Sequence, residues 1–132
     1  MSYLSIHIRQ YKFTAVITII ITFISLINES NIPSTGWLAF KNSDKVVHII
    51  MYMSLSYVMF LERNQKRYLS VRHHKIPNVI IMIILIFMGG VIEIIQPIVS
   101  NRSCNLLDFI ANGIGAILGF LLFKYTHRLL KL

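Results

Sequence analysis

Acids, charge as a whole and cysteine are all scarce in this chain. Charged residues make up 14% of its 132 residues, where ordinary soluble domains carry about 25%. That shortfall argues against a water-soluble domain. Asp and Glu number five against thirteen Lys and Arg, for a formal net charge of +8. Nucleic acid is a natural partner for such a balance, but the basic residues sit at the ends of apolar blocks and lack the interleaved aromatics of a base-stacking surface. No nucleic-acid partner is expected, and anionic lipid headgroups account for the basic residues better. The one cysteine, Cys104, excludes an internal disulfide and a paired thiol site for zinc or redox work. It leaves the compartment open, and no cofactor is expected.

Apolar residues are abundant instead, at 55% of the chain with a mean hydropathy of +0.66. They gather into four long blocks where a soluble core would spread them through short amphipathic segments. The expected architecture is all-α: a single membrane domain over 1–132, a four-helix bundle with helices at about 12–28, 44–61, 76–96 and 106–125. A hydrocarbon core of roughly 30 Å needs about 20 helical residues, so the short first span relies on Tyr11, Lys12 and Asn28 at its edges. Arg9 and Lys12 ahead of an apolar run resemble a signal peptide, but no clear small-residue cleavage site follows. Pro77 suits the first turn of the third helix and Pro97 suits its end.

Lys and Arg sort by side. Arg9, Lys12, Arg63, Lys66, Arg67, Arg72, Lys75, Lys124, Arg128 and Lys131 fall on one side, and only Lys41, Lys45 and Arg102 on the other. The positive-inside rule then places both termini and the middle loop in the cytoplasm. The acids sort the opposite way, with Glu62 alone inside and Glu29, Asp44, Glu93 and Asp108 toward the outer ends. His73 and His74 read as surface residues of the basic loop, Trp37 as an interfacial anchor, and the tail Lys124, His127, Arg128 and Lys131 as a contact for anionic lipid.

Polar residues capable of chemistry cluster toward that outer end. Asp44, His48, Tyr52 and Ser56 recur at intervals of four on the second block, along one helical ridge. A carboxylate one turn from an imidazole can orient its tautomer and raise its basicity, which suits a general base or a buried network. Gly89, Glu93 and Gln96 share a face of the third block, and Glu93 is expected to face the bundle interior because a carboxylate inside a span is costly. On the fourth, Asn105 can cap the helix with Asp108 near a capping box, and the face continues through Asn112, Gly115 and Gly119, whose two glycines admit a close neighbour. Thr14, Thr18, Thr22 and Ser25 of the first block are expected to bond their own backbone or a neighbour.

These residues form an ordered series: Asp44-Lys45 with His48 and Tyr52, then Glu93-x-x-Gln96, then Arg102 followed by Asp108-x-x-x-Asn112-x-x-Gly115. In order and spacing the series resembles the VanZ-like family. The resemblance implies a small multi-pass protein of the bacterial cytoplasmic (inner) membrane, in a family named for a member that confers low-level resistance to the glycopeptide teicoplanin. It also implies a polar signature on Asp44, His48, Tyr52, Glu93, Gln96, Arg102, Asp108 and Asn112, without naming a reaction.

Three readings of that set stay open on the sequence. A satisfied polar network would hold the second to fourth helices together. A binding site would hold a polar group of a cell-wall precursor, lipid headgroup or peptide terminus, with Arg102 and Lys45 contacting an anion. An enzyme acting on a lipid-linked envelope substrate would use His48 as general base oriented by Asp44, Glu93 as acid or second base, and Arg102 to stabilise negative charge. A metal held by His48, Glu93 and Asp108 lacks a specific ligand spacing, and none is expected.

Overall fold

The computed structural model describes residues 11–27, 42–67, 76–100 and 103–130. Helices α1 (Lys12–Ser25), α2 (Ser43–Arg67), α3 (Asn78–Val99) and α4 (Leu106–Leu130) follow one another, and no strand occurs among the described residues. Three of them, α2 to α4, are long and apolar enough to cross a membrane, while α1 is a shorter apolar helix. At 1.5 Å per residue α1 reaches only about 21 Å. Each long span buries just 28% to 39% of its most apolar window. The remaining surface, rich in Ile, Leu, Val and Phe, would be an aggregation face in water and is an ordinary one in lipid.

Helix ends differ from the apolar blocks. Both α2 and α4 continue past the expected ends, to Arg67 and Leu130, because polar residues such as Asn64 and Arg128 are tolerated in a helix. Pro77 stands just before α3 in an extended conformation (φ −57°, ψ 145°) rather than in its first turn. Pro97 lies inside α3, which runs on to Val99. Having no N–H, it gives none to the Glu93 carbonyl four residues back, and the helix ends where the Ser100 N–H and hydroxyl both bond the Gln96 carbonyl.

Helices α2 and α4 pack most intimately. A Cβ at Gly115 would run into the Ile49 carbonyl and one at Gly119 into the Met53 carbonyl, so only glycine lets the two backbones come this close. Between them Ser56 Oγ donates to the Ala116 carbonyl at 2.7 Å. The apolar core, centred on Leu55, Phe60, Leu85 and Ala116, takes Ile21 from α1. It is closed toward the α2 C-terminus by the rings of Phe60, Phe120 and Phe123.

At that end Glu62 caps α1 from outside the helix. Its carboxylate accepts from the Phe13 and Thr14 N–H groups at 3.0 and 3.1 Å and from the Thr14 hydroxyl at 2.6 Å, satisfying donors that a helix start leaves unbonded. Arg63 donates to the Ile76 carbonyl ahead of α3. Burial raises the Tyr11 pKa above the usual tyrosine value, with Arg63 opposing the rise and Glu62 adding to it. In the tail, Lys124 lies over the Phe120 ring and His127 stacks on Phe123. Those two side chains therefore fold back on α4. The opposite end of the bundle gathers the end of α1, the start of α2, the end of α3 and the start of α4.

Candidate functional site

Polar side chains from α2, α3 and α4 meet at that opposite end. His48 and Glu93 are each 2% exposed and Asn112 is 0% exposed. His48 Nδ1 lies 2.8 Å from Asn112 Oδ1, and Asn112 Nδ2 donates to Glu93 Oε1 at 3.3 Å. His48 Nδ1 is also 3.7 Å from Glu93 Oε1.

The three groups constrain one another. An ionised carboxylate only accepts, so the Asn112 amide turns its NH₂ to Glu93 and its oxygen to the ring. His48 then donates from Nδ1, which leaves Nε2 pointing away from the amide. The residue that orients the imidazole is Asn112, sixty-four positions away, and not Asp44 one turn back. Asp44 instead accepts from Lys45 at 3.0 Å.

Lys45 also pairs with Asp108 at 3.3 Å, so its ammonium bridges the starts of α2 and α4 at the rim of the cluster. Lys45, expected to contact an anion, thus has two carboxylates beside it. The pairing corrects the role of Asp108. The helix cap is Asn105 alone, whose Oδ1 accepts from the Leu107 N–H at 3.0 Å, while the buried Asp108 carboxylate faces Lys45.

Tyr52 lies below this group and is buried, with no hydrogen-bond partner for its hydroxyl among the described residues. A Cβ on Gly89 would sit 3.2 Å from that hydroxyl and from Asn112 Nδ2, so the missing side chain lets α3 approach both. Gln96, one turn beyond Glu93, turns to α1 and donates from Nε2 to the Ser25 carbonyl at 3.1 Å. Seven of the eight expected positions, namely Asp44, His48, Tyr52, Glu93, Gln96, Asp108 and Asn112, thus lie at one end of the bundle. Arg102 lies outside the described residues, as do Trp37, Lys41, His73, His74 and Lys131.

Ser25 and Glu62 were not singled out as site or anchor residues by the sequence. Ser25 had a signal only in its spacing from Thr22 and Thr18. Glu62 had none beyond being the one acid on its side, since its partners stand 48 and 49 positions away. Among the described residues no group of three or more His, Cys, Asp or Glu side chains could hold a metal ion.

The VanZ/LLP1 family model matches residues 3–130, nearly the whole chain. No curated protein and no solved structure matches it.

Proposed function

The chain belongs to the VanZ/LLP1 family, and on that premise we propose that it is an envelope membrane protein that binds a polar group of a cell-wall precursor or lipid in the His48–Asn112–Glu93 cluster. Both termini are cytoplasmic in this reading, by the distribution of Lys and Arg. The cluster then faces the outside of the cytoplasmic membrane, where glycopeptides and lipid-linked precursors meet. Lys45, Asp44 and Asp108 form its rim.

The observation that carries the proposal is a buried histidine within hydrogen-bonding distance of an amide that also bonds a buried carboxylate, the three side chains coming from three helices. Glue alone is a weak reason for such a group. Interhelical hydrogen bonds in membranes average about 0.6 kcal/mol, whereas a charged side chain in a span costs about 2.5 to 3.5 kcal/mol at full depth. Apolar packing of similar volume holds helices as well. His48 Nε2 and the Tyr52 hydroxyl, which has no hydrogen-bond partner among the described residues, are the groups offered to a bound hydroxyl, amide or amine.

The same geometry favours one second reading, acid–base chemistry on a lipid-linked envelope substrate with His48 as base and Glu93 stabilising the imidazolium. The 3.7 Å separation of Nδ1 and Oε1 suits that electrostatic role.

Teicoplanin and vancomycin sensitivity, measured in cells lacking the protein and complemented with wild type, His48→Ala or Glu93→Gln, tests the proposal. Wild type is expected to protect against teicoplanin, and both variants to lose protection at equal abundance by blot. Full protection by both variants would refute a binding role for the cluster. No protection by wild type would remove the link to glycopeptides.

A further inference from the structure

We propose that the ligand is an amphiphile that reaches the cluster sideways from the bilayer, through the seam between α1 and α3, with α1 as the movable wall. The inference rests on the binding reading above and names the ligand class and its route.

Helix α1 is lightly held. Ile21 and Ser25 are its only buried residues, while Phe13, Val16, Ile19, Ile20, Phe23 and Ile24 stay exposed. Polar contacts fasten it at two heights. Near its start the Glu62 carboxylate takes three hydrogen bonds, and near its end, among the described residues, a single neutral bond joins Gln96 to the Ser25 carbonyl. Charge-assisted bonds are roughly twice as strong as neutral ones. The Glu62 end is therefore the pivot, and the Ser25 end is the one that opens.

That opening lies against the cluster, because Gln96 and Glu93 share one face of α3 at a spacing of three. Parting Gln96 from Ser25 frees a side-chain amide. It also uncovers the Ser25 hydroxyl, which is buried with no hydrogen-bond partner among the described residues. Both would meet a polar head entering beside Glu93.

The hydrocarbon part has a place as well. A groove of about 480 Å³ runs along α1 between Thr18, Ile19, Thr22, Phe23, Leu26 and Ile27. The Thr18 and Thr22 hydroxyls are turned onto their own helix, at 2.8 and 2.9 Å from the carbonyls four residues back. The groove consequently presents carbon to the bilayer. An acyl chain laid along this side of α1 reaches the height of Ser25.

The test ties the seam shut. Ser25→Cys and Gln96→Cys are combined with Cys104→Ser, and the protein is reconstituted in vesicles containing a phosphatidylglycerol with a photoreactive diazirine in its headgroup. In the reduced protein, labelling is expected on peptides spanning 93–112, lost in His48→Ala. After oxidation to the disulfide it should fall to background and return on reduction. Gln96→Ala, which needs no disulfide, should label faster than wild type. Equal labelling in the oxidised and reduced forms, with the His48→Ala loss intact, would overturn the lateral route and leave the binding reading standing. Labelling indifferent to His48→Ala would overturn both.

Discussion

Asn112 stands between His48 and Glu93, and two substitutions there separate the effects of shape and charge. Asn112→Ala removes the bonds at 2.8 and 3.3 Å. Each is worth about 0.6 kcal/mol between membrane helices, and leaving buried partners unbonded adds about 1 to 3 kcal/mol. The expected loss is about 2 to 4 kcal/mol. Asn112→Asp keeps the shape and an oxygen for His48, but it sets a second carboxylate where the amide donor approached Glu93 at 3.3 Å. Two unit charges at that distance repel by about 5 kcal/mol at an effective dielectric of about 20, and proton uptake by the pair caps the cost below that figure. The isosteric variant should therefore be no more stable than Asn112→Ala. Unfolding in mixed micelles at neutral pH, followed by circular dichroism, measures the order. Asn112→Asp as stable as wild type, or more stable than Asn112→Ala, would show that the amide does not donate to a Glu93 carboxylate. His48 Nδ1 would then have no reason to be the donor to Asn112.

Glu62→Ala should cost about 1 to 2 kcal/mol, the usual scale of a lost helix cap. Its effect should be local, with amide exchange rising across α1 and little changed in α2 and α4; unchanged protection of α1 would remove Glu62 as its anchor. Gly119→Leu forces a Cβ against the Met53 carbonyl and to 2.8 Å from the Ser56 Cβ, whereas a Cβ at Gly113 meets nothing within 4 Å. The first should destabilise by about 1 to 3 kcal/mol and Gly113→Leu hardly at all, so similar midpoints for the two in the same micelle assay would contradict the close approach of α2 and α4.

Periodicity made half of the site legible and could not reach the rest. A polar residue every fourth position in an apolar block marks one face of a helix, which is why Asp44, His48 and Tyr52, and separately Glu93 and Gln96, were placed on shared faces. The face does not tell which neighbour it meets or at what height. His48 bonds Asn112 and leaves Asp44 to Lys45 because Gly115 and Gly119 seat α4 directly against α2. Gln96, on the same face as Glu93, reaches past the cluster to α1. Lys45 looked available to an anion because Asp108, its second partner, is 63 positions away and its meeting with Lys45 depends on how α2 and α4 pack. Helix ends were misplaced for another reason. Hydropathy marks where apolar residues stop, and α2 and α4 continue into polar ones.

Sidedness is the claim on which the functional account stands, and Cys104 reports it. The one cysteine of the chain is exposed and lies just before α4, at the cluster end of the bundle. A membrane-impermeant maleimide added to intact cells should label Cys104 fully, with no gain on permeabilisation. Labelling only after permeabilisation would put the His48–Asn112–Glu93 cluster on the cytoplasmic side and contradict an outward-facing site.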